Sequence, residues 1–141
     1  MRKLLLLLIF GLIPSLAGLA PGKRVQYIPA GVKIEPFKAL WQATCIVESS
    51  NNPLAYNAQE QATGIAQIRP IRLQDYNKRT HKGYKLKDCY DPKISKEIWL
   101  YYANKIGFRN YEQIARQWNG KGYKTTIYWN KIKKQLLTIK N

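Results

Sequence analysis

From Glu35 onwards, apolar residues recur three and four positions apart, and this helical periodicity limits the chain to a mainly α fold. The clearest helix starts are at Pro36 and at Asp91-Pro92, because proline fits the first turn of a helix and aspartate caps it. The pattern predicts helices over residues 35–49, 64–76, 92–106, 111–118 and 127–137. Thr63 is the predicted cap of the second helix, which Pro70 is expected to bend or split. Residues 50–63 are predicted to form a polar loop with a small hairpin, and residues 77–90 to form turns, so the class is mainly α (α+β).

The N-terminus has the pattern of a secretory signal peptide. Arg2 and Lys3 precede a short apolar run over residues 4–13, and small residues follow. Cleavage after Ala17 is the preferred prediction, with cleavage after Ala20 as the alternative. A membrane span needs about 20 apolar residues, so an uncleaved membrane anchor is the less favoured interpretation.

Export to the periplasm or the cell envelope follows from this prediction. The expected organisation is a signal peptide over residues 1–17, an irregular leader over residues 18–34, and a catalytic domain over residues 35–141. We expect the exported domain to be a monomer.

The chain has two cysteines, Cys45 and Cys89. In an oxidising compartment an even number of cysteines suggests a disulfide, and this one would contribute roughly 4 kcal/mol by restricting the unfolded chain. Two buried free thiols are the alternative. Because His81 is the single histidine and no CxxC motif is present, neither a metal site nor a cofactor is expected.

The chain is strongly basic, with 24 Lys+Arg against 8 Asp+Glu and a formal net charge of +16. Its hydrophobic content of 45% is too high for a disordered basic tail. A basic surface on a folded domain favours an anionic partner such as an envelope surface, a membrane or a nucleic acid. The predicted export argues against a nucleic acid as the partner.

Glu48 lies on the apolar stripe of the first predicted helix, in line with Trp41 and Cys45. A carboxyl group on a buried face loses solvation, which disfavours its charged form and raises its pKa. A carboxyl that keeps its proton near neutral pH is suited to protonate the leaving oxygen of a glycosidic bond. The alternative is a glutamate at a helix end that faces solvent or pairs with a lysine.

Three short motifs follow one another in a recognisable order. They are Glu48-Ser49 with Asn52-Pro53, Gly64-Ile65-Ala66-Gln67, and Trp118-Asn119-Gly120. This order resembles the soluble lytic transglycosylase domain, which is related to goose-type lysozyme, over about residues 35–137. The resemblance implies a lysozyme-like fold with a small hairpin beside the catalytic helix. It also implies cleavage of the MurNAc–GlcNAc β-1,4 bond of peptidoglycan.

The resemblance implies a role for individual residues. Glu48 matches the single catalytic acid/base, which in a transglycosylase leaves a 1,6-anhydro sugar end. Ser49 and Gln67 match residues that position substrate beside it, and Trp118 and Asn119 match a Tyr-Asn pair on the far side of the groove.

The chain departs from the family pattern at three places. Ala66 replaces the common methionine, and Gln61-Ala62 stands where the family has Gly-Ala. Trp118 replaces the tyrosine, so that any contact from this position must come from the indole N–H or the ring face.

Other residues keep alternative functions open. Glu60 is the candidate for a second carboxylate, which would make the protein a lysozyme-type hydrolase, although a solvated loop glutamate or a partner for Arg69 or Arg72 is the favoured interpretation. Tyr56 and Tyr101 are candidates to line a sugar groove. A non-catalytic protein that binds the cell wall is the remaining alternative.

Overall fold

The computed structural model describes residues 35–139, which are mainly helical. The elements in chain order are α1 (Lys38–Ser49), β1 (Tyr56–Asn57), β2 (Ala62–Thr63), α2 (Pro70–Thr80), a 3₁₀ helix (Leu86–Tyr90), α3 (Pro92–Ile106), α4 (Tyr111–Asn119) and α5 (Lys124–Ile139). The predicted signal peptide and leader, residues 1–34, lie outside the described residues. Among residues 35–139, no helix combines the length and apolar character that a membrane span requires.

Helix α1 presents Leu40, Ala43 and Cys45 to the core and ends where Ser50 takes a left-handed backbone conformation with φ of 53°. The predicted end near Ser49 is therefore confirmed. This termination places Glu48 in the last turn of α1, at the edge of the core instead of its centre.

The predicted hairpin is present as two short antiparallel strands, with Tyr56 paired to Thr63 and Asn57 paired to Ala62. The predicted helix start at Gly64 is wrong. Thr63 instead exchanges backbone hydrogen bonds with Ile68, at 3.0 and 2.9 Å, and this bridge closes a tight turn over residues 64–67. Helix α2 begins only at Pro70, which occupies its first turn and needs no N–H partner there.

The other helix predictions agree with the structure to different degrees. Asp91 caps α3 by accepting a hydrogen bond from the Lys93 N–H at 2.8 Å, as its position before Pro92 predicts. Residues 77–90 are more ordered than the predicted turns, because α2 continues to Thr80 and a 3₁₀ helix follows. Helix α5 is longer than predicted, since it begins at Lys124.

Trp99 of α3 lies at the centre of the core. Its ring packs at a tilt or edge-on against the rings of Phe37, Trp41 and Trp118. Helix α5 packs against both α1 and α4, so it brings the C-terminal part of the chain to the side of α1 that carries Glu48.

Cys45 and Cys89 are both buried, and in the structure both are free thiols, so the predicted disulfide is not formed there. Cys45 faces the core from α1, whereas Cys89 belongs to the 3₁₀ helix. Burial raises the pKa of each thiol to about 12. Each is therefore protonated and inert at neutral pH, and contributes as a small apolar side chain.

Candidate active site

Glu48 is a half-buried carboxyl group between α1 and α5. The hydroxyl of Tyr128, on the buried face of α5, donates a hydrogen bond of 2.8 Å to Glu48 Oε1. The two residues are 80 positions apart in the sequence, and the packing of α1 on α5 brings them together.

Burial raises the pKa of Glu48 from 4.5 to about 7. The hydrogen bond from Tyr128 and the positive charges of Arg69 and Arg72 oppose this rise, because each favours the carboxylate. Loss of solvation outweighs them. Near neutral pH, both forms of Glu48 are therefore populated: a protonated acid that can give a proton, and a carboxylate that can take one.

The raised pKa predicts that Glu48 destabilises the folded protein at neutral pH. As pH rises from 4.5 to 7, the unfolded chain loses the Glu48 proton while the folded chain retains it, so the free energy of unfolding falls over this window. We expect Glu48→Gln to raise the free energy of unfolding by about 2 kcal/mol at pH 7.5 and to have little effect near pH 4. Urea denaturation at both values measures this.

The exposed Glu112, paired with Arg116 on α4, supplies the matched control. Glu112→Gln should change stability little at either pH. An equal stabilisation by Glu48→Gln at pH 4 and pH 7.5 would contradict the desolvated carboxyl.

Arg69 links the hairpin to the turn between α4 and α5. Its Nε donates to Glu60 Oε2 at 2.9 Å, and its Nη1 donates to the carbonyl of Asn119 at 3.3 Å. The predicted pairing of Glu60 with an arginine is present in the structure, and the partner is Arg69. The Glu60 carboxylate therefore faces the groove on the hairpin side with one oxygen already bound to a guanidinium.

Arg72 holds the end of α4 against α2. Its Nη2 donates to the carbonyl of Trp118 at 2.8 Å, and its guanidinium stacks 4.2 Å from the centroid of the Trp118 ring. The indole N–H of Trp118 donates to the carbonyl of Ala66 at 3.3 Å, which joins α4 to the 64–67 turn. Trp118 is 5% exposed, its N–H is bonded to Ala66, and its ring face is covered by Arg72. It therefore has a packing role and does not present a surface on which a sugar could stack.

The side chains of Ser49 and Gln67 donate hydrogen bonds to backbone carbonyls near Glu48. The Ser49 hydroxyl donates to the carbonyl of Ile65 at 2.8 Å, and the Gln67 amide donates to the carbonyls of Gly64 and Ala55 at 3.0 and 3.3 Å. These bonds fix the 64–67 turn against the end of α1.

The two aromatic candidates lie in different places. Tyr56 is 53% exposed on β1, beside the loop that carries Glu60. Tyr101 packs edge-on against Tyr76 and Tyr102 between α2 and α3, and the ammonium of Lys105 covers its ring. The structure thus gives Tyr101 a packing role, while Tyr56 stays available as a surface.

A groove of about 590 Å³ lies between the hairpin loop, the turn between α4 and α5, and the first turns of α5. It is lined by Glu60, Arg69, Asn119, Gly120, Lys121, Lys124, Ile127, Tyr128 and Lys131. Glu48 itself is not among the residues that line it. Tyr128 is the link between groove and acid, because its hydroxyl is bonded to Glu48.

Tyr128 is a site residue that was not predicted from the sequence, and Arg69 and Arg72 were predicted only as partners of Glu60. Arg69 and Arg72 are three positions apart at the start of α2, and could have been noticed as two cations directly after the Gly64–Gln67 motif. Tyr128 carries no comparable signal, since it lies on an ordinary helical stripe with Thr125 and Ile132.

Chemically, the site offers one carboxyl group able to give and take a proton, one neighbouring ion pair, and an adjacent groove. Within residues 35–139, no group of three or more His, Cys, Asp or Glu side chains could hold a metal ion.

No protein-family model matches the chain, and neither a curated protein nor a solved structure matches it significantly.

Proposed function

We propose that this protein is a peptidoglycan lytic transglycosylase with a lysozyme-like fold, exported to the periplasm or cell envelope, in which Glu48 is the acid/base. The observation that carries the proposal is the half-buried Glu48 carboxyl, with its pKa raised to about 7, hydrogen-bonded to Tyr128, which lines a groove of about 590 Å³. The order of the Glu48-Ser49, Gly64–Gln67 and Trp118–Gly120 motifs supports the choice of substrate.

The proposed reaction uses Glu48 twice. Protonated Glu48 gives its proton to the oxygen that leaves C1 of MurNAc, and the C1–O bond breaks. The resulting Glu48 carboxylate takes the proton from the MurNAc 6-hydroxyl, whose oxygen forms the new bond to C1. The product is a 1,6-anhydro sugar, no water is consumed, and Glu48 ends protonated for the next cycle.

The surroundings of Glu48 fit both halves of this cycle. Burial favours the protonated acid, while the Tyr128 hydroxyl and the charges of Arg69 and Arg72 stabilise the carboxylate that forms after proton transfer. Because these opposing effects leave the pKa near 7, neither form is trapped at neutral pH.

The direct test is release of soluble fragments from purified sacculi by the purified protein. We expect ultraviolet-absorbing muropeptides to appear in the supernatant in a time- and protein-dependent manner. Binding to sacculi without any release over a wide range of pH would reject the enzyme and favour the non-catalytic wall-binding protein.

Activity should fall as pH rises through about 7, because the acid step needs the proton on Glu48. Tyr128→Phe removes the hydrogen bond that favours the carboxylate, so the pKa of Glu48 should rise and the alkaline limb of the profile should move to higher pH. The measurement is release rate against pH for both proteins. A limb that stays in place, or that moves to lower pH, contradicts the assigned role of Tyr128.

The second candidate is a hydrolase of the same bond, with Glu60 activating a water molecule. It is favoured by the position of Glu60 on the groove that Tyr128 also lines. Glu60→Gln distinguishes the two. A hydrolase should lose about 100-fold in rate or more, whereas a transglycosylase should retain its rate within a few-fold.

A further inference from the structure

One wall of the groove carries three lysines. Four residues of α5 line the groove, namely Lys124, Ile127, Tyr128 and Lys131. Ile127 and Tyr128 each lie three or four positions from Lys124 and from Lys131, so the four residues share one face of the helix. Lys121 extends this row from the turn that precedes α5. We define Lys121, Lys124 and Lys131 as the lysine row.

The lysine row is not neutralised by the protein. Within residues 35–139, none of its three members forms an ion pair with a carboxylate. Glu60 is the acidic residue among those that line the groove, and Arg69 already binds it. Helix α5 contains no Asp or Glu along its length. The groove therefore presents a positive potential to whatever occupies it.

An apolar side chain interrupts the row. Ile127 is 45% exposed between Lys124 and Lys131, at the same wall. A ligand that fits must therefore combine negative charges spaced along its length with an apolar face between them. A neutral sugar chain satisfies the second condition only.

We propose that the lysine row binds the carboxylates carried by the glycan strand, and so makes this groove selective for carboxylate-bearing peptidoglycan over neutral glycan. This inference rests on the proposed function, because it names the substituents that the same groove recognises. The carboxylates come from stem peptides or, where the peptide has been removed, from the lactyl groups of MurNAc.

The test measures binding in the Glu48→Gln protein, so that the strand is not cut. Sacculi with acetylated amines are compared before and after carbodiimide conversion of their carboxylates to amides. Glycan strands that an amidase has released from sacculi retain lactyl carboxylates alone, so they distinguish the two sources. The double variant Lys124→Gln/Lys131→Gln should bind carboxylate-bearing sacculi about tenfold more weakly in 50 mM salt. On the amidated material, its affinity should equal that of the Glu48→Gln protein with both lysines intact.

The matched control is Lys133→Gln/Lys134→Gln, which removes the same charge from exposed positions of the same helix outside the groove. It should lose less than about twofold, the margin left for diffuse charge. Equal losses in the two double variants, or no loss in the first, would overturn the inference, as would tighter binding to a short duplex DNA than to sacculi. If binding behaves as expected but the unaltered protein releases no fragments, the proposed function fails while the carboxylate site stands.

Discussion

Replacing Glu48 with glutamine should reduce release of soluble fragments from sacculi by about 1,000-fold or more. Glutamine keeps the size of the side chain and can still accept a hydrogen bond from Tyr128, but it can neither give nor take the proton that the reaction moves. General acid–base catalysis alone contributes about 10²–10⁴-fold, and in the proposed mechanism one group performs both steps. The initial rate of release, compared at pH 6 and pH 7, measures the effect.

Two controls separate loss of chemistry from loss of structure. Glu48→Gln should be as stable as the original protein or more stable near neutral pH, since it removes a desolvated carboxyl, so unfolding would not explain a lost activity. Glu112→Gln, which changes an exposed carboxylate paired with Arg116, should keep full activity. If Glu48→Gln released fragments at the original rate, Glu48 would not be the acid.

Replacing Gly64 with alanine should cost about 3 kcal/mol or more of folding free energy and lower Tm by about 12 °C or more. An added Cβ would lie 1.9 Å from the backbone oxygen of Cys89, and this oxygen cannot move aside as the tip of a side chain could. The backbone of Gly64 also has φ of +80°, a conformation that side chains with a Cβ rarely adopt. Thermal unfolding by circular dichroism measures the loss.

Gly83→Ala is the control for this substitution. An added Cβ at Gly83 meets nothing within 4 Å, and its φ lies outside the positive range, so stability should change by no more than about 0.5 kcal/mol. If Gly64→Ala were as mild as Gly83→Ala, the 64–67 turn would not pack on the 3₁₀ helix as described.

The start of α3 and the end of α4 were predictable because local chemistry decides them, whereas α1 begins at Lys38, two residues after the predicted start at Pro36. Asp91-Pro92 combines a side-chain cap with a proline that needs no N–H partner, and Asn119-Gly120 ends α4 where the structure ends it. The 64–67 turn was not predictable in this way. It has a Thr63–Ile68 bridge and a positive φ at Gln67, and it contacts Ser49, Cys89 and Trp118, which are distant in the sequence.

Part of the candidate site was predictable from the sequence, and part depends on contacts between distant helices. The apolar stripe predicted that Glu48 would lose solvation, and its raised pKa agrees with that reasoning. The residues that set the environment of Glu48 could not be found from spacing, because Tyr128 reaches it from 80 positions away and Arg72 meets Trp118 from 46 positions away. Periodicity within one helix carries no information about which other helix covers it.

The ion pair between Glu60 and Arg69 depends on local folding that residue spacing does not reveal. The nine-residue separation of Glu60 from Arg69 crosses the hairpin and the 64–67 turn, and the folding of that segment brings the two charges to 2.9 Å. Both interpretations were visible in the sequence, and the ion pair depends on a turn that the helical pattern did not predict.

The most direct measurement is mass spectrometry of the products that the unaltered protein releases from sacculi. If Glu48 acts alone as acid and base, the fragments should carry 1,6-anhydroMurNAc ends, which are lighter by one water than reducing ends. Fragments with reducing MurNAc ends would contradict this mechanism and assign the attacking water to a second carboxylate. Complete absence of cleaved fragments would contradict the assignment of Glu48 as a catalytic group.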